Sequence, residues 1–331
     1  MKNFISVSDY SYEEIDELLN LAEMLKKGEI KDNLQGRNLI LLFFNPSLRT
    51  RTSFEFAMME LGGNVVTLNA GGDTWKIEIE EGAVMDGTAA EHIKDAARVL
   101  GRYSHAIGIR AFPRGESWEE DKKDPVIDAF IKNAGVPIIN MESSLYHPNQ
   151  ALADILTVKE TYGKTKNIPI TITWAYHPNP LPMAVPNSIL LASTLMGMDV
   201  RLVHPEGYEL DNDIVVKAKD LSEKSGGNLK ITNDIDEGFK DSLVVYAKSW
   251  GSLKFYGNKD EERNYRKKFK NWIVDENKMN LTKDAIFLHC LPVRRNVIVT
   301  DAVIDGPNSK VYDEAENRLH VQKAVLLKLL K

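Results

Sequence analysis

One cysteine, Cys290, stands in 331 residues. No internal disulfide can form, and a reducing, cytoplasmic setting is the expectation. No window approaches eighteen uninterrupted apolar residues, which argues against a spanning helix. The opening stretch, MKNFISVSDYSYEEIDELLNLAEMLKKG, is rich in acids and has no apolar h-region, so it does not read as a signal peptide. The formal net charge is −6 with no long cationic run, which speaks against nonspecific nucleic-acid binding. The densest basic stretch, Arg263–Lys270, spaces Tyr265 and Phe269 four apart and reads as an amphipathic segment with a wet outer face. No G-x-G-x-x-G or P-loop pattern follows any strand-like run, so a dinucleotide enzyme or an NTPase loses its main support. Internal repeats and low-complexity tracts are absent as well.

What the chain does have is alternation. Hydrophobic residues make up 43% and charged residues 27%, the mixture of a folded chain long enough for two cores. Apolar runs such as NLILLFF, NVVTLNA, HAIGIRAF, VPIINME, IPITITWAY, DVRLVHP, DSLVVYAKSW and AIFLHCLP read as strands. Between them lie helical patterns: SFEFAMMELGG, EHIKDAARVLGRY, QALADILTVKETYG, NSILLASTLMGM and a final ENRLHVQKAVLLKLL. Ser8, Asp9 or Ser11 is placed to cap the first helix. Such alternation predicts an α/β fold of two doubly wound parallel-sheet domains. The boundary is expected near Glu142–Pro148, giving 1–145 and 146–313, with a C-terminal helix, 314–331, packing back on the first. Ligands of open α/β sheets sit beyond the carboxyl ends of the strands. That rule selects 45–52, 110–112, 142–150, 177–186, 248–251 and 289–295.

The first of these stretches, FFNPSLRTRTSFEF (Phe43–Phe56), crowds two arginines and several hydroxyls behind a buried strand. With Pro46 at the first helical position and Ser47 in the first turn, the helix N-terminus is a ready anion site. Arg49 and Arg51 lie about 200° apart around a helix, so one should bind and the other brace. Alone, the segment fits a phosphate or carboxylate site and a capped helix with surface arginines equally well. His147 alone reads as a loop histidine, Cys290 as a small core residue, and Trp75 as a surface aromatic.

The ordered set S-x-R-T-R, H-P-x-Q and H-C-L-P, at these separations, resembles the transcarbamoylase family over essentially the whole chain. The resemblance implies carbamoyl transfer from carbamoyl phosphate to an amine, with no cofactor and no metal. It implies that Ser47, Leu48, Arg49 and Thr50 bind the phosphate, and that Arg110 is shared between phosphate and carbamoyl oxygen. In the H-P-x-Q segment, His147, Pro148, Asn149 and Gln150 line the carbamoyl phosphate. His147 donates to the carbonyl there, and Gln150 accepts from the carbamoyl NH₂. The carbonyls of Cys290 and Leu291 accept from the same NH₂, and Arg318 reaches the phosphate. Trp75 matches a loop that the family inserts into a neighbouring subunit's site, which implies a homo-oligomer, expected to be a trimer. Neither nucleic acid nor membrane is an expected partner.

The amine is the second question. Ornithine-specific members carry an aspartate and an S-M-G at the second substrate. Here YAKSWG places Lys248, which repels an α-ammonium and attracts a carboxylate. That resembles the N-acylornithine branch, as does the proline-rich loop from Trp174 to Ser188, through which that branch threads a later segment as a trefoil knot. Glu142, His177, Lys248, Leu291 and Arg294 are then expected at the acylornithine. Within the branch, Ala90 and Ile298 replace a glutamate and a lysine of the acetyl enzymes, so N-succinylornithine is the expected substrate. ARVLGRY and DEAENRLHVQKA resemble the acetyl enzymes instead, and N-acetylornithine is the alternative. A non-catalytic anion-binding paralogue is the rival from another class.

Overall fold

A computed structural model describes residues 2–331. The first half runs α1 (Tyr12–Lys26), β1 (Asn38–Phe43), α2 (Leu48–Glu60), β2 (Asn64–Asn69), the short β3 (Ile77–Glu78) and β4 (Glu91–His92), and α3 (Ile93–Tyr103). It continues through β5 (Ala106–Arg110), α4 (Trp118–Asp121), α5 (Pro125–Asn133) and β6 (Ile138–Glu142). Then follow α6 (Pro148–Tyr162), β7 (Pro169–Trp174), α7 (Ala184–Leu195), β8 (Asp199–Val203), α8 (Asn212–Ser225), β9 (Asn228–Thr232) and α9 (Ile235–Phe239). The chain ends with β10 (Val244–Lys248), α10 (Lys259–Arg266), α11 (Glu276–Met279), β11 (Ile286–Leu288), α12 (Asp301–Ile304) and α13 (Val311–Leu330). None of these helices is long and apolar enough to cross a membrane.

Two parallel sheets result, ordered β2-β1-β5-β6 and β11-β10-β7-β8-β9. Strands β5 and β6 are buried along their whole length, as expected where helices cover both faces. Helix α1 starts on a capping box, with Ser11 accepting from the Glu14 N–H, and it buries Ile15, Leu18, Leu19, Ala22 and Leu25. Helices α6 and α7 are buried almost all round, so they act as central struts and not as surface covers. The last helix, α13, packs on α6, α1 and α2, which carries the end of the chain back onto the first sheet.

Three local expectations need correction. Pro46 is not the first helical residue: Ser47 is the N-cap, its hydroxyl accepting from the Thr50 N–H, and α2 begins at Leu48. The helix expected from Glu91 begins at Ile93, because Glu91 and His92 pair with Ile77 and Glu78. The basic stretch is wet on Arg263, Lys267 and Lys268, but Arg266 is fully buried. Its Nη2 donates to the Trp250 carbonyl at 2.9 Å, and its guanidinium lies 5.5 Å from the rings of Trp174 and Tyr208. Stacking on two rings offsets the loss of water around that charge.

Candidate active site

Strand ends from both sheets converge on one cavity of about 640 Å³. From the first sheet come Ser47, Leu48, Arg49 and Thr50 after β1, Arg110 at the end of β5, and Glu142 at the end of β6. His147 and Gln150 enter from the start of α6, and Arg318 from α13. From the second sheet come His177, Lys248, Cys290, Leu291, Arg294 and Ile298. Five of the lining side chains are Lys or Arg and one, Glu142, is acidic. Such a cavity selects an anion.

Local folding aims these groups. The register of β5 against β6 slips between Ile109 and Arg110, so Arg110 faces Glu142 and Met141 is passed over. The two side chains form a buried ion pair, Arg110 Nη1 with Glu142 Oε2, and the guanidinium lies 4.5 Å over the Phe112 ring. His147 Nε2 stands 3.6 Å from the same carboxylate oxygen. On α2, Arg49 reaches the cavity while Arg51 turns outward to Glu55 at 3.0 Å. The two arginines thus face different sides of the helix, as their spacing of about 200° implies. Arg318 Nη2 donates to Thr50 Oγ1 at 2.6 Å, tying α13 to the same helix start.

Burial sets the protonation states. It pushes His147 well below the usual imidazole value, with Arg318, Arg110 and Lys248 adding repulsion, so the ring is neutral and carries one N–H. Burial likewise lowers Arg318 to about 10, which leaves it charged at neutral pH. The Cys290 thiol is raised by burial and is no nucleophile. His177 is lowered by burial; its Nε2 accepts from Arg294 Nε at 2.9 Å, and its Nδ1 lies against the Asn179 backbone, 2.7 Å from the carbonyl oxygen and 3.0 Å from the N–H nitrogen. Several buried polar atoms around the cavity have no partner: Nε of Arg49, Arg110 and Arg318, Nδ1 of His147 and Oε1 of Gln150. Orphaned groups are rare in a folded interior, and a cluster of them marks a binding site.

Four expected site residues do not line this cavity. Pro148 is the first residue of α6 and faces the interior. Asn149 is fully buried, its Nδ2 donating to the Asn140 carbonyl at 3.2 Å, so it braces the turn after β6. Trp75 and Ala90 sit in the excursion between β2 and α3, both exposed, Trp75 by 69%. Phe112, Leu181, Pro182 and Val293 also line the cavity, within the stretches that the strand-end rule selects but without a site role assigned to them from sequence. The signal for Phe112 was its place two residues past a strand end, and for Leu181 and Pro182 the proline-rich loop itself.

The sequence matches two family descriptions. The aspartate/ornithine carbamoyltransferase carbamoyl-P binding domain covers residues 2–160, and the Asp/Orn binding domain of the same family covers 182–329. Over its full length the chain is 47% identical to N-acetylornithine carbamoyltransferase of Xanthomonas campestris pv. campestris, covering 98% of that protein. It is 39% identical, again over its full length, to N-succinylornithine carbamoyltransferase of Bacteroides fragilis, covering 99% of that protein. The fold superposes with a TM-score of 0.97 on a glutamate-to-alanine mutant of N-acetyl-L-ornithine transcarbamylase complexed with carbamyl phosphate and N-succinyl-L-norvaline. That structure is 48% identical, and the match covers 99% of this chain and 100% of the other. With an anion-selecting cavity built from the same ordered segments, the chain belongs to the aspartate/ornithine carbamoyltransferase family, beside members named for N-acylated ornithines.

Proposed function

We propose that the protein transfers the carbamoyl group of carbamoyl phosphate to the δ-amine of N-succinyl-L-ornithine, giving N-succinyl-L-citrulline and phosphate in arginine biosynthesis. The observation that carries the reading is the convergence of Arg49, Arg110 and Arg318, each with an unpartnered Nε, around neutral His147 and the unpartnered Oε1 of Gln150. Three guanidiniums suit a leaving phosphate whose charge grows as the bond to carbon breaks. Ser47 and Thr50 add hydroxyls, and the helix start at Leu48 adds N–H groups. An N–H of His147 stabilises the carbonyl oxygen, while Gln150 Oε1 and the Cys290 and Leu291 carbonyls hold the carbamoyl NH₂. The amine nitrogen bonds to the carbonyl carbon, the carbon–oxygen bond to phosphate breaks, and the departing phosphate or solvent takes the amine's proton. In this reading residues 1–145 and 314–331 bind carbamoyl phosphate, and 146–313 bind the acylornithine.

Lys248, Arg294 and His177 supply cations and an imidazole at the acceptor end, suited to the two carboxylates of N-succinylornithine. Ile298 presents an apolar wall there, and Ala90 brings no competing acid. The succinylnorvaline complex of a glutamate-to-alanine mutant supports the same reading, since alanine stands here at the position the resemblance matches to a glutamate. N-acetylornithine is the second reading, favoured by 47% identity to an acetyl enzyme against 39% to a succinyl one. Two further features belong to the proposal. The segment after β10 passes through the proline-rich loop as a knot, supported by the Gly251 N–H donating to the Leu181 carbonyl at 2.9 Å. Trp75 and Ala90 serve a neighbouring subunit's cavity in a trimer, supported by their exposure away from their own.

Phosphate release from carbamoyl phosphate, measured with N-succinylornithine, N-acetylornithine and free ornithine in parallel, tests the reading. The succinyl compound should have the highest kcat/KM. Preference for the acetyl compound overturns the roles of Ala90 and Ile298, turnover of free ornithine alone overturns that of Lys248, and binding without release identifies the non-catalytic rival. Ala90→Glu should lower kcat/KM for the succinyl compound about 100-fold, the scale of one unfavourable charge contact in a desolvated site. Arg49→Ala should raise the KM for carbamoyl phosphate about 50-fold, the loss of charged hydrogen bonds. Arg51→Ala, a paired surface residue, should leave it within about twofold.

A further inference from the structure

Beneath the carbamoyl end of the cavity lie two buried acids that the reaction does not touch. Asp154 stands on α6, one turn after Gln150, and Glu314 stands on α13, one turn before Arg318. Both are fully buried. Gln150 Nε2 donates to both, to Asp154 Oδ1 at 2.7 Å and to Glu314 Oε1 at 2.8 Å. The other Glu314 oxygen, Oε2, accepts from the His289 N–H at 2.8 Å. His289 Nδ1 in turn accepts from the Leu291 N–H at 2.9 Å, which fixes the turn carrying the Cys290 and Leu291 carbonyls. Glu314 therefore reaches, through one bond each, both structures that present oxygens to a carbamoyl NH₂.

We propose that Asp154 and Glu314 act as a one-proton carboxyl pair that positions the Gln150 amide and the His289–Leu291 turn, so that oxygens and not N–H groups face the carbamoyl nitrogen. A glutamine amide can flip at little cost in water, and a flipped Gln150 would point its NH₂ at the substrate's NH₂. Two acceptors on its Nε2 exclude the flip. Two neighbouring carboxylates cannot both stay ionised in such a place: burial raises both acids, and the nearby Asp154 raises Glu314 further. The hydrogen-bond pattern separates the two roles: both Glu314 oxygens already accept N–H groups, whereas Asp154 uses one oxygen and its Oδ2 is buried and unpartnered. The pair also joins α13 to α6 and to β11, so the carbamoyl pocket and the two sheets share one anchor.

The proposal rests on carbamoyl phosphate being the first substrate, and a binding experiment separates the two ideas. Calorimetric titration of the full-length protein with carbamoyl phosphate, acetyl phosphate and inorganic phosphate reads the NH₂ contacts directly, because acetyl phosphate carries a methyl in place of the NH₂. The wild type should prefer carbamoyl over acetyl phosphate about tenfold, the scale of one or two net hydrogen bonds. Glu314→Gln leaves one oxygen where two are needed, and should reduce that preference to about twofold or less while inorganic phosphate binds as before. Asp154→Asn keeps one oxygen to accept from Gln150 Nε2, all that Asp154 supplies to that amide, and should retain most of the preference. Retention in both variants, or equal loss in both, overturns the positioning role. A wild type that does not distinguish the two acyl phosphates overturns the carbamoyl phosphate reading itself.

Discussion

Replacing Arg110 by glutamine is expected to lower kcat about 1,000-fold, the upper range for removing one preorganised donor from a developing oxyanion. Arg110 is the residue whose loss other groups can least replace. Arg49 and Arg318 both converge on the start of α2, but Arg110 alone comes from the strand end facing Glu142 and His147. In the proposed reaction its guanidinium is the one that touches phosphate and carbamoyl oxygen together. The substitution has a second consequence, because Glu142 is nine-tenths buried and Arg110 is its ion-pair partner. Stranding that carboxylate should cost on the order of 3 kcal/mol in stability. The double variant Arg110→Gln, Glu142→Gln removes the stranded charge and should recover the melting temperature without recovering kcat. Phosphate-release kinetics and thermal melts of the three proteins separate the effects. A single variant that keeps kcat within tenfold of wild type would remove Arg110 from the transferring group.

The α/β architecture was readable because parallel strands buried on both faces are continuous apolar runs, as in Leu39–Phe43 and Val244–Ala247. No such run marks β9. Its Ile231 is exposed, and an edge strand paired on one side needs little apolar surface, so neither β9 nor the α8 before it stands out. Arg266 misleads for a different reason. A basic cluster normally faces water, and burial of this one is made tolerable by the Glu262 carboxylate at 3.6 Å, the Trp250 carbonyl, and the rings of Trp174 and Tyr208 brought from distant segments. The cavity side chains were legible where they end a strand, as Arg110, Glu142 and Lys248 do. The Asp154–Glu314 pair was half legible. Asp154 lies one helical turn after Gln150, and that spacing places both on one face, but nothing local announces a partner 160 residues away.

Two inactive proteins should make an active one. Trp75→Ala is expected to lower turnover about 100-fold, the cost of losing a positioning contact at the reacting centre. Arg110→Gln is inactive through its own cavity. If the exposed excursion carrying Trp75 and Ala90 reaches a neighbour's cavity, the two variants damage different subunits of each site. Random mixing within any closed ring then joins an intact cavity to an intact loop at about a quarter of the sites. Co-expression of the two variants under separate tags, followed by purification through both, discards the homo-oligomers, leaves one intact site in each mixed trimer, and should give about a third of wild-type activity, far above either parent. The exposed flank of the same excursion, with Val84 at 83%, leaves apolar surface for such a contact. Hybrids no more active than their parents would confine the Trp75 effect to its own chain, and a fully active Trp75→Ala would place Trp75 outside every active site, leaving the acyl pocket to be closed by Leu181, Pro182 and Ile298 of the same chain. In that event Ala90→Glu should also leave the choice between succinyl and acetyl substrates untouched, so the two experiments stand or fall on one geometry.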